Sequence, residues 1–175
     1  MFFRNDDYEL YLELLLEWSG SAGMRVLSYC LMPNHVHVIT VPPDERALTH
    51  VMSEVHRRYS KAINNRKGWI GHLWQGRYSS YPLDETHLYN AIRYVEMNPV
   101  NAGLSASPEG WEWSSAKSGA CRYDLLSADT QTDEVFERHE RTGRPLGDLP
   151  FLHRLEQLTG RIFVPKKPGR KKKEF

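Results

Sequence analysis

The sequence predicts an α+β fold in which helices pack on an antiparallel sheet. Apolar residues recur at helical spacing in residues 6–19 and 46–64, whereas apolar and polar residues alternate in residues 35–41. The elements follow in the order helix, strand, strand, helix, strand, helix. This order, with its first two strands joined by a short turn, favours an antiparallel sheet with helices on one face.

The first three elements are a helix and a β-hairpin. Residues 6–19 begin with acidic side chains, which the helix dipole favours at an N-terminus. Residues 25–31 and 35–41 have strand character, and Pro33 and Asn34 between them mark a turn. We therefore expect the two strands to pair.

A third strand and a further helix are expected after residue 70. Residues 73–81 have strand character, and Asp84 is a good N-cap for a helix that runs from residue 85 to about 97. That helix is expected to end near Asn98, because Pro99 disfavours helical geometry in the residue before it.

The C-terminal third of the chain is predicted to be an appendage. Helices are expected near residues 131–142 and 149–159, so we predict a domain at residues 1–119 and a helical appendage with a basic tail at residues 120–175. A ferredoxin-like unit has the order βαββαβ and begins with a strand. Because only "MFF" precedes the first helix, the sheet is expected to lack its N-terminal strand.

The composition predicts a soluble cytoplasmic protein. Charged residues make up 26% of the chain, and no apolar run reaches the roughly 20 residues that a membrane helix needs. The N-terminus lacks the pattern of a signal peptide. Cys30 and Cys121 form no CxxC motif and no disulfide framework, which suits a reducing compartment.

The chain ends in a strongly basic segment although its net charge is only +1. From Arg161 onward, seven basic residues accompany one acidic residue, a balance of +6. Such a tail is typical of segments that bind a polyanion, most often nucleic acid. A solubilising disordered end is the alternative.

Two histidines share one face of the second predicted strand. Because strand side chains alternate, His35 and His37 lie on one face, and Val36 and Val38 lie on the other, which is the natural core side. Two imidazoles at i and i+2 can share one divalent cation, but the same pattern also occurs in surface or core-edge histidines. A metal site would need a further ligand from elsewhere in the chain.

The helix predicted after Asp84 offers such a ligand. His87, Asn90, Tyr94 and Asn98 form a polar stripe beside its apolar stripe, and the last two are one turn apart. If this helix packs on the sheet, Tyr94 and Asn98 lie beside the histidines. The alternative is a helix with an exposed tyrosine and an asparagine C-cap.

Two stretches of the sequence together resemble a known family. "YCLMPNHVHVI" and "WQGRYSSYPLDETHLYNAIRYVEMNPVNAGL" are similar to the HUH-type single-tyrosine transposases, and most of all to the REP-associated tyrosine transposases. The resemblance runs from about residue 8 to residue 116. It implies a ferredoxin-like domain with a central antiparallel sheet, which cuts and rejoins single-stranded DNA through a tyrosine–DNA intermediate. REP-associated members recognise hairpin-forming palindromic repeats.

The resemblance also implies the roles of individual residues. Tyr94 matches the nucleophile, His35 and His37 match the metal-binding pair, and Asn98 matches the polar residue that completes the metal site. Mg²⁺ or Mn²⁺ is the expected cofactor. Members of the family usually have an extra N-terminal strand, which this sequence lacks.

DNA contacts are expected from three groups of residues. The first is a basic stripe on and after the second helix, for which a solvated helix face is the alternative; it comprises Arg57, Arg58, Lys61, Arg66 and Lys67. The second group can stack on or hydrogen-bond to nucleotides, and it comprises Trp74, Gln75 and Arg77. The third lies in the tail and contacts phosphates; its members include Lys171, Lys172 and Lys173.

Other aromatic and titratable residues near the motifs have alternative roles. Tyr59 lies on the apolar stripe of its helix and is expected in the core, whereas Tyr89 points away from the polar stripe. Trp111 and Trp113 are expected to pack the C-terminal segment onto the domain. His87 is a candidate general base.

These observations predict a metal-dependent, transposase-type DNA strand transferase that is a monomer or a homodimer, lies in the cytoplasm and is associated with the nucleoid. Its DNA partner is single-stranded or forms a hairpin. One alternative is a catalytically inactive protein that binds hairpin DNA. Another is an unrelated metal-dependent hydrolase in which water is the nucleophile. A covalent protein–DNA adduct distinguishes the first function from the other two.

Overall fold

The structure, a computed structural model, describes residues 1–118 and 133–164 of the chain. These residues form two compact units: residues 1–78 with 89–118, and residues 79–88 with 133–164. The elements up to residue 101 are helix α1 (Asn5–Ser21), strands β1 (Arg25–Met32) and β2 (His35–Val41), and helices α2 (Glu45–Lys67) and α3 (Glu85–Asn101).

Strands β1 and β2 form the predicted antiparallel hairpin, and their register decides which residues share a face. Leu31 pairs with Val36, and Cys30 pairs with His37. Directly opposed residues point to the same side of a sheet. Leu31 and Val36 pack in the hydrophobic core, so the histidines occupy the opposite face, as the sequence predicts.

The core of the first unit lies between the hairpin, α1 and α2. Its fully buried members include Tyr11, Leu15, Val55 and Tyr59. Tyr59 is therefore a core residue, as predicted. Asp44 caps α2 by accepting hydrogen bonds from the backbone of its first turn, both 2.8 Å long, and the left-handed residue Gly68 ends the helix.

The edge of β1 opposite β2 is covered by residues that follow α3. The backbone of Leu31 donates to the carbonyl of Trp113 (2.9 Å), and the Trp111 indole donates to the carbonyl of Leu31 (3.0 Å). Trp113 also stacks on Tyr8, with ring centroids 4.8 Å apart. The two tryptophans therefore hold residues 111–113 against β1 and α1 within the first unit.

The strand predicted at residues 73–81 is absent from the structure. The Trp74 and Tyr78 side chains of this segment pack on helix α2 instead of alternating across a sheet. The Trp74 ring stacks on His56 at 4.0 Å, and its indole N–H donates to the His56 carbonyl (3.3 Å). Met1–Arg4 are not in a strand, as the sequence predicts, and the backbone of Met1 and Phe2 donates to the carbonyl of Pro33.

Helix α3 continues through Pro99 to Asn101, beyond its predicted end. A proline in the last turn removes only one hydrogen bond of the helix. Pro99 is buried, and its carbonyl accepts a hydrogen bond from the backbone of Leu104 (2.8 Å), which stabilises the helix end. The predicted start is correct, since the Asp84 carboxylate accepts from the backbone of His87 (2.9 Å).

The second unit contains the two predicted C-terminal helices, α4 (Asp133–Thr142) and α5 (Leu149–Thr159). Asp148 caps α5 by accepting a hydrogen bond from the backbone of Phe151 (2.8 Å). The predicted boundary at residues 119 and 120 lies outside the described residues. No helix in the described part of the chain is long and apolar enough to cross a membrane.

Candidate active site

The histidine face of the hairpin brings two ring nitrogens together. The Nε2 atoms of His35 and His37 are 3.0 Å apart, and the two rings are nearly perpendicular. The other ring nitrogen of His35 lies 2.7 Å from the side-chain oxygen of Asn34, which orients the ring. His35 is exposed and His37 is half-buried, so the pair is at the edge of the fold.

Helix α3 places Tyr94 against this face. The ring centroids of Tyr94 and His37 are 5.9 Å apart, with the planes at 75°, and Tyr94 is buried. Because α1 and α2 cover the valine face, α3 lies on the other side of the hairpin. The expectation of helices on one face is therefore wrong.

Asn98 follows Tyr94 by one turn of α3, and its side chain is hydrogen-bonded to the Tyr94 backbone. The Asn98 side-chain nitrogen donates to the Tyr94 carbonyl (2.9 Å), and the side chain is half-buried. This bond uses the nitrogen of the amide, so Oδ1 is the atom with which Asn98 can bind a cation.

The separation of the histidine nitrogens is that of a hydrogen bond between the two rings, and it is also compatible with a shared metal ion. An ion that binds two ligands at about 2.1 Å and at right angles holds them about 3.0 Å apart. Within residues 1–118 and 133–164, no group of three His, Cys, Asp or Glu side chains is arranged to hold a metal. A cation held by the histidine pair would take its further ligands from an amide oxygen, a water or a substrate oxygen.

Comparison with known proteins assigns the family. The protein-family model described as "Transposase IS200 like" matches residues 1–98, more than half of the chain. The chain belongs to the IS200-like transposase family. No curated protein matches this transposase.

A solved structure of a REP-associated tyrosine transposase bound to a REP hairpin has the same fold. Its TM-score is 0.56, and the match covers 73% of this chain and 78% of that chain at 15% sequence identity. This similarity confirms the predicted α+β class and the predicted resemblance to REP-associated transposases.

The transposase contains a buried acidic residue that sequence reasoning missed. Glu96 on α3 is almost fully buried, and its carboxyl oxygen accepts from the Ser115 hydroxyl (2.7 Å). The Ser28 hydroxyl of β1 is 3.5 Å from the same oxygen. A signal was available, since Glu96 lies four residues after Ile92 and so extends the apolar stripe of the helix.

Most of the predicted basic stripe on α2 is engaged within the protein. Arg57 and Arg58 both bind Glu54, and Arg58 also lies 4.6 Å from the Trp18 ring. Hydrogen bonds from the two arginines lower the pKa of Glu54. Lys61 is exposed. Contacts between these residues and DNA stay predictions.

The next two basic residues of the stripe also have partners in the protein. Arg66 binds Asp7, and the ammonium group of Lys67 lies over the ring of Phe3 at 4.5 Å. Neither side chain is therefore simply a solvated charge on the helix surface.

The remaining candidates are in different settings. Trp74 is half-buried against α2, whereas Gln75 and Arg77 are exposed. Tyr89 is 55% exposed, unlike Tyr94. In the second unit, the His87 ring nitrogen is 2.5 Å from the Asp84 carboxylate. The tail candidates lie outside the described residues; they are Lys171, Lys172 and Lys173.

Proposed function

We propose that this transposase is a metal-dependent DNA strand transferase in which Tyr94 is the nucleophile. The observation that supports this role is the contact between the Tyr94 and His37 rings, since it joins a tyrosine to a pair of histidines able to bind a cation. Nearly sixty residues separate the two rings along the chain, so the contact depends on the fold. The same chain segments carry the resemblance to single-tyrosine transposases.

The proposed reaction exchanges one phosphodiester for another. The Tyr94 phenolic oxygen attacks a DNA phosphorus, the bond from phosphorus to the 3′-oxygen breaks, and the phenolic proton is released. The leaving oxygen takes up a proton to become a 3′-hydroxyl, and the 5′-phosphate stays on the tyrosine. A 3′-hydroxyl can then attack this phosphotyrosine in the reverse sense, which rejoins DNA without ATP.

A neutral phenol is a poor nucleophile, with an ordinary pKa of about 10. Mg²⁺ or Mn²⁺ bound by His35, His37 and Asn98 would supply Lewis-acid polarisation of the phosphate. The protein itself contributes by holding the tyrosine at the histidine face and by burying its ring. Both effects limit the positions from which the hydroxyl can approach a bound phosphate.

The proposed substrate is single-stranded or hairpin DNA, which would place the protein at the nucleoid. The structural neighbour is described as bound to a REP hairpin, and the basic C-terminal segment suits a polyanion. The proposed contacts to this DNA are the residues predicted from the sequence: Arg57, Arg58, Lys61, Trp74, Gln75 and Arg77, together with Lys171, Lys172 and Lys173 of the tail.

The test is the covalent adduct. The protein is incubated with Mn²⁺ and a hairpin oligonucleotide that has single-stranded flanks, and the products are separated on a denaturing gel. We expect a protein–DNA adduct whose peptide map places the DNA on the peptide that contains Tyr94. Tyr94→Phe should abolish the adduct, while Tyr89→Phe, at an exposed position of the same helix, should retain it.

The outcomes separate the candidate functions. An adduct in Tyr94→Phe would refute the assignment of the nucleophile. Cleavage without any adduct would indicate a hydrolase that uses water. Binding of hairpin DNA with neither cleavage nor adduct in the wild-type protein would indicate a DNA-binding protein without strand transfer.

A further inference from the structure

The buried carboxyl group of Glu96 connects α3 to strand β1 and to the residues that cover its edge. It lies on α3 between Tyr94 and Asn98, and it is 1% exposed. Two of its hydrogen-bonding partners, Ser115 and Ser28, are themselves buried. Burial of a carboxyl group costs free energy unless the group is hydrogen-bonded. The hydroxyl groups of two other chain segments provide these hydrogen bonds to Glu96.

The hydrogen bonds around Ser115 form one consistent set. The Ser115 hydroxyl donates to Glu96 (2.7 Å) and accepts from the Tyr29 backbone N–H of β1 (3.1 Å). The Ser28 hydroxyl, 3.0 Å from the Ser115 oxygen, can donate to it as well. Ser115 thereby joins Glu96 on α3 to two consecutive residues of β1.

This network gives α3 a directional contact with the sheet. The apolar contacts of Ala91, Ile92 and Val95 favour burial, but such contacts have no preferred direction. A hydrogen bond is sensitive to both distance and angle. The bonds of Glu96 therefore restrict rotation of α3 and its sliding along the hairpin.

We propose that Glu96, held by Ser115, is a positioning residue that sets where Tyr94 lies relative to His37. The catalytic consequence rests on the proposed function, in which Tyr94 attacks DNA. A helix moves as a unit over two residues, so a shift at Glu96 is transmitted to the Tyr94 ring. A misplacement of about 1 Å in a reacting group can reduce a rate by about 10²-fold.

The test compares two substitutions at one position. Glu96→Leu removes the acceptor while preserving much of the volume, and Glu96→Gln preserves an oxygen acceptor for Ser115. In the Leu variant the Ser115 hydroxyl retains an acceptor, because the Tyr29 carbonyl lies 3.2 Å away. Ser115→Ala removes the donor instead. Glu112→Leu is the control, since Glu112 is exposed and binds Lys117.

Two readouts are needed. The first is the nuclear Overhauser effect between the ring protons of Tyr94 and His37 in the metal-free protein, which reports the position of the tyrosine without any activity. The second is the single-turnover rate of adduct formation, measured together with the affinities for Mn²⁺ and for DNA.

We expect Glu96→Leu to lose the ring-to-ring effect and to form the adduct about 10²-fold more slowly. Its DNA affinity should match the wild type, whereas its Mn²⁺ affinity should fall, because Asn98 is also two residues from Glu96 and moves with the helix. Glu96→Gln and Glu112→Leu should retain both the ring-to-ring effect and the rate. Ser115→Ala should show the same changes as Glu96→Leu to a smaller extent, and it decides the question if the Leu variant does not fold.

Unchanged ring proximity in Glu96→Leu and Ser115→Ala would overturn the positioning role. Loss of both readouts in Glu96→Gln would also overturn it, because charge and not the geometry of the acceptor would then be decisive. If the wild type forms no adduct, the proposed function fails, and the ring-to-ring effect still tests the placement of Tyr94.

Discussion

The guanidinium of Arg66 donates two hydrogen bonds to the carboxylate of Asp7, and this pair joins the last turn of α2 to the first turn of α1. Asp7 is fully buried, and the backbone N–H groups of Phe3 and Arg4 also donate to it. The sequence analysis predicts that Arg66 belongs to a basic stripe that contacts DNA. In the structure it neutralises a buried charge, and that function accounts for its position.

Replacement of Arg66 by alanine should therefore destabilise the protein. The buried Asp7 carboxylate would lose its cation, and removal of one partner of a buried pair costs about 3 kcal/mol in the free energy of unfolding. Urea denaturation followed by circular dichroism measures the change. Lys61→Ala, at an exposed position of the same helix, should change it by less than about 0.5 kcal/mol. Equal stability of the two variants would contradict the structural role of Arg66.

The same pair should make stability depend on pH in the acid range. Burial opposes ionisation of Asp7, but hydrogen bonds from Arg66 and from the Phe3 and Arg4 backbones lower its pKa below the ordinary value of 3.8. For a lowered carboxyl pKa, the stabilisation is fully present above the unfolded value and is lost as the pH falls through the folded value. The free energy of unfolding should fall below pH 3.8.

Asp7→Asn separates this contribution from that of other carboxylates. The variant should be less stable at neutral pH, and its stability should fall less steeply in acid than that of the wild type. Denaturation midpoints measured across the acid range give both slopes. Parallel slopes would show that Asp7 contributes nothing to the acid sensitivity.

The histidine pair should bind Mn²⁺. Both imidazoles are on the face opposite the apolar core, so His35→Ala and His37→Ala should keep the fold. Loss of an outer-shell partner alone lowers metal affinity by about 10–100-fold, and loss of a direct ligand should cost at least as much. Titration calorimetry measures the affinity. His72→Ala, at an exposed histidine outside the site, should leave it unchanged, and binding in the His35/His37 double variant would refute the site.

The basic tail should contribute affinity for DNA without sequence preference. Removal of residues 165–175 takes away six Lys and Arg side chains. If these side chains neutralise phosphates, the affinity should fall. The slope of log affinity against log salt should also flatten, by about 0.7 for each single-strand phosphate that the shortened protein leaves unneutralised. Fluorescence anisotropy at several salt concentrations gives the slope, and an unchanged slope would identify the tail as a solubilising segment.

Local sequence patterns were sufficient for the hairpin and for both of its faces. Pro33 and Asn34 mark the turn, and alternation alone separates His35 and His37 from Val36. These predictions succeed because turn chemistry and strand periodicity depend on neighbours in the chain.

The predictions fail where the conformation or environment of a residue depends on contacts with residues far away in the chain. The sequence of residues 73–81 is typical of a strand, but Trp74 and Tyr78 instead contact His56 and Thr49 of α2. Helical spacing likewise assigns Arg66 to a basic stripe on α2. It gives no indication that Arg66 binds the carboxylate of Asp7, because Asp7 belongs to another helix. The spacing of Glu96 from Ile92 indicates that it lies on the apolar stripe of its helix, but its contact with Ser115, nineteen residues away, cannot be predicted from spacing.

The hydrogen bonds of Leu31 with Trp111 and Trp113 determine how short a recombinant version of this transposase can be made. The family match ends at residue 98, yet residues 111–115 supply the partners along one edge of β1 and the stacking partner of Tyr8. A fragment that stops at the family boundary would leave that edge open, and an open strand edge promotes association between molecules. A usable fragment of the first unit should therefore extend at least to Ser118.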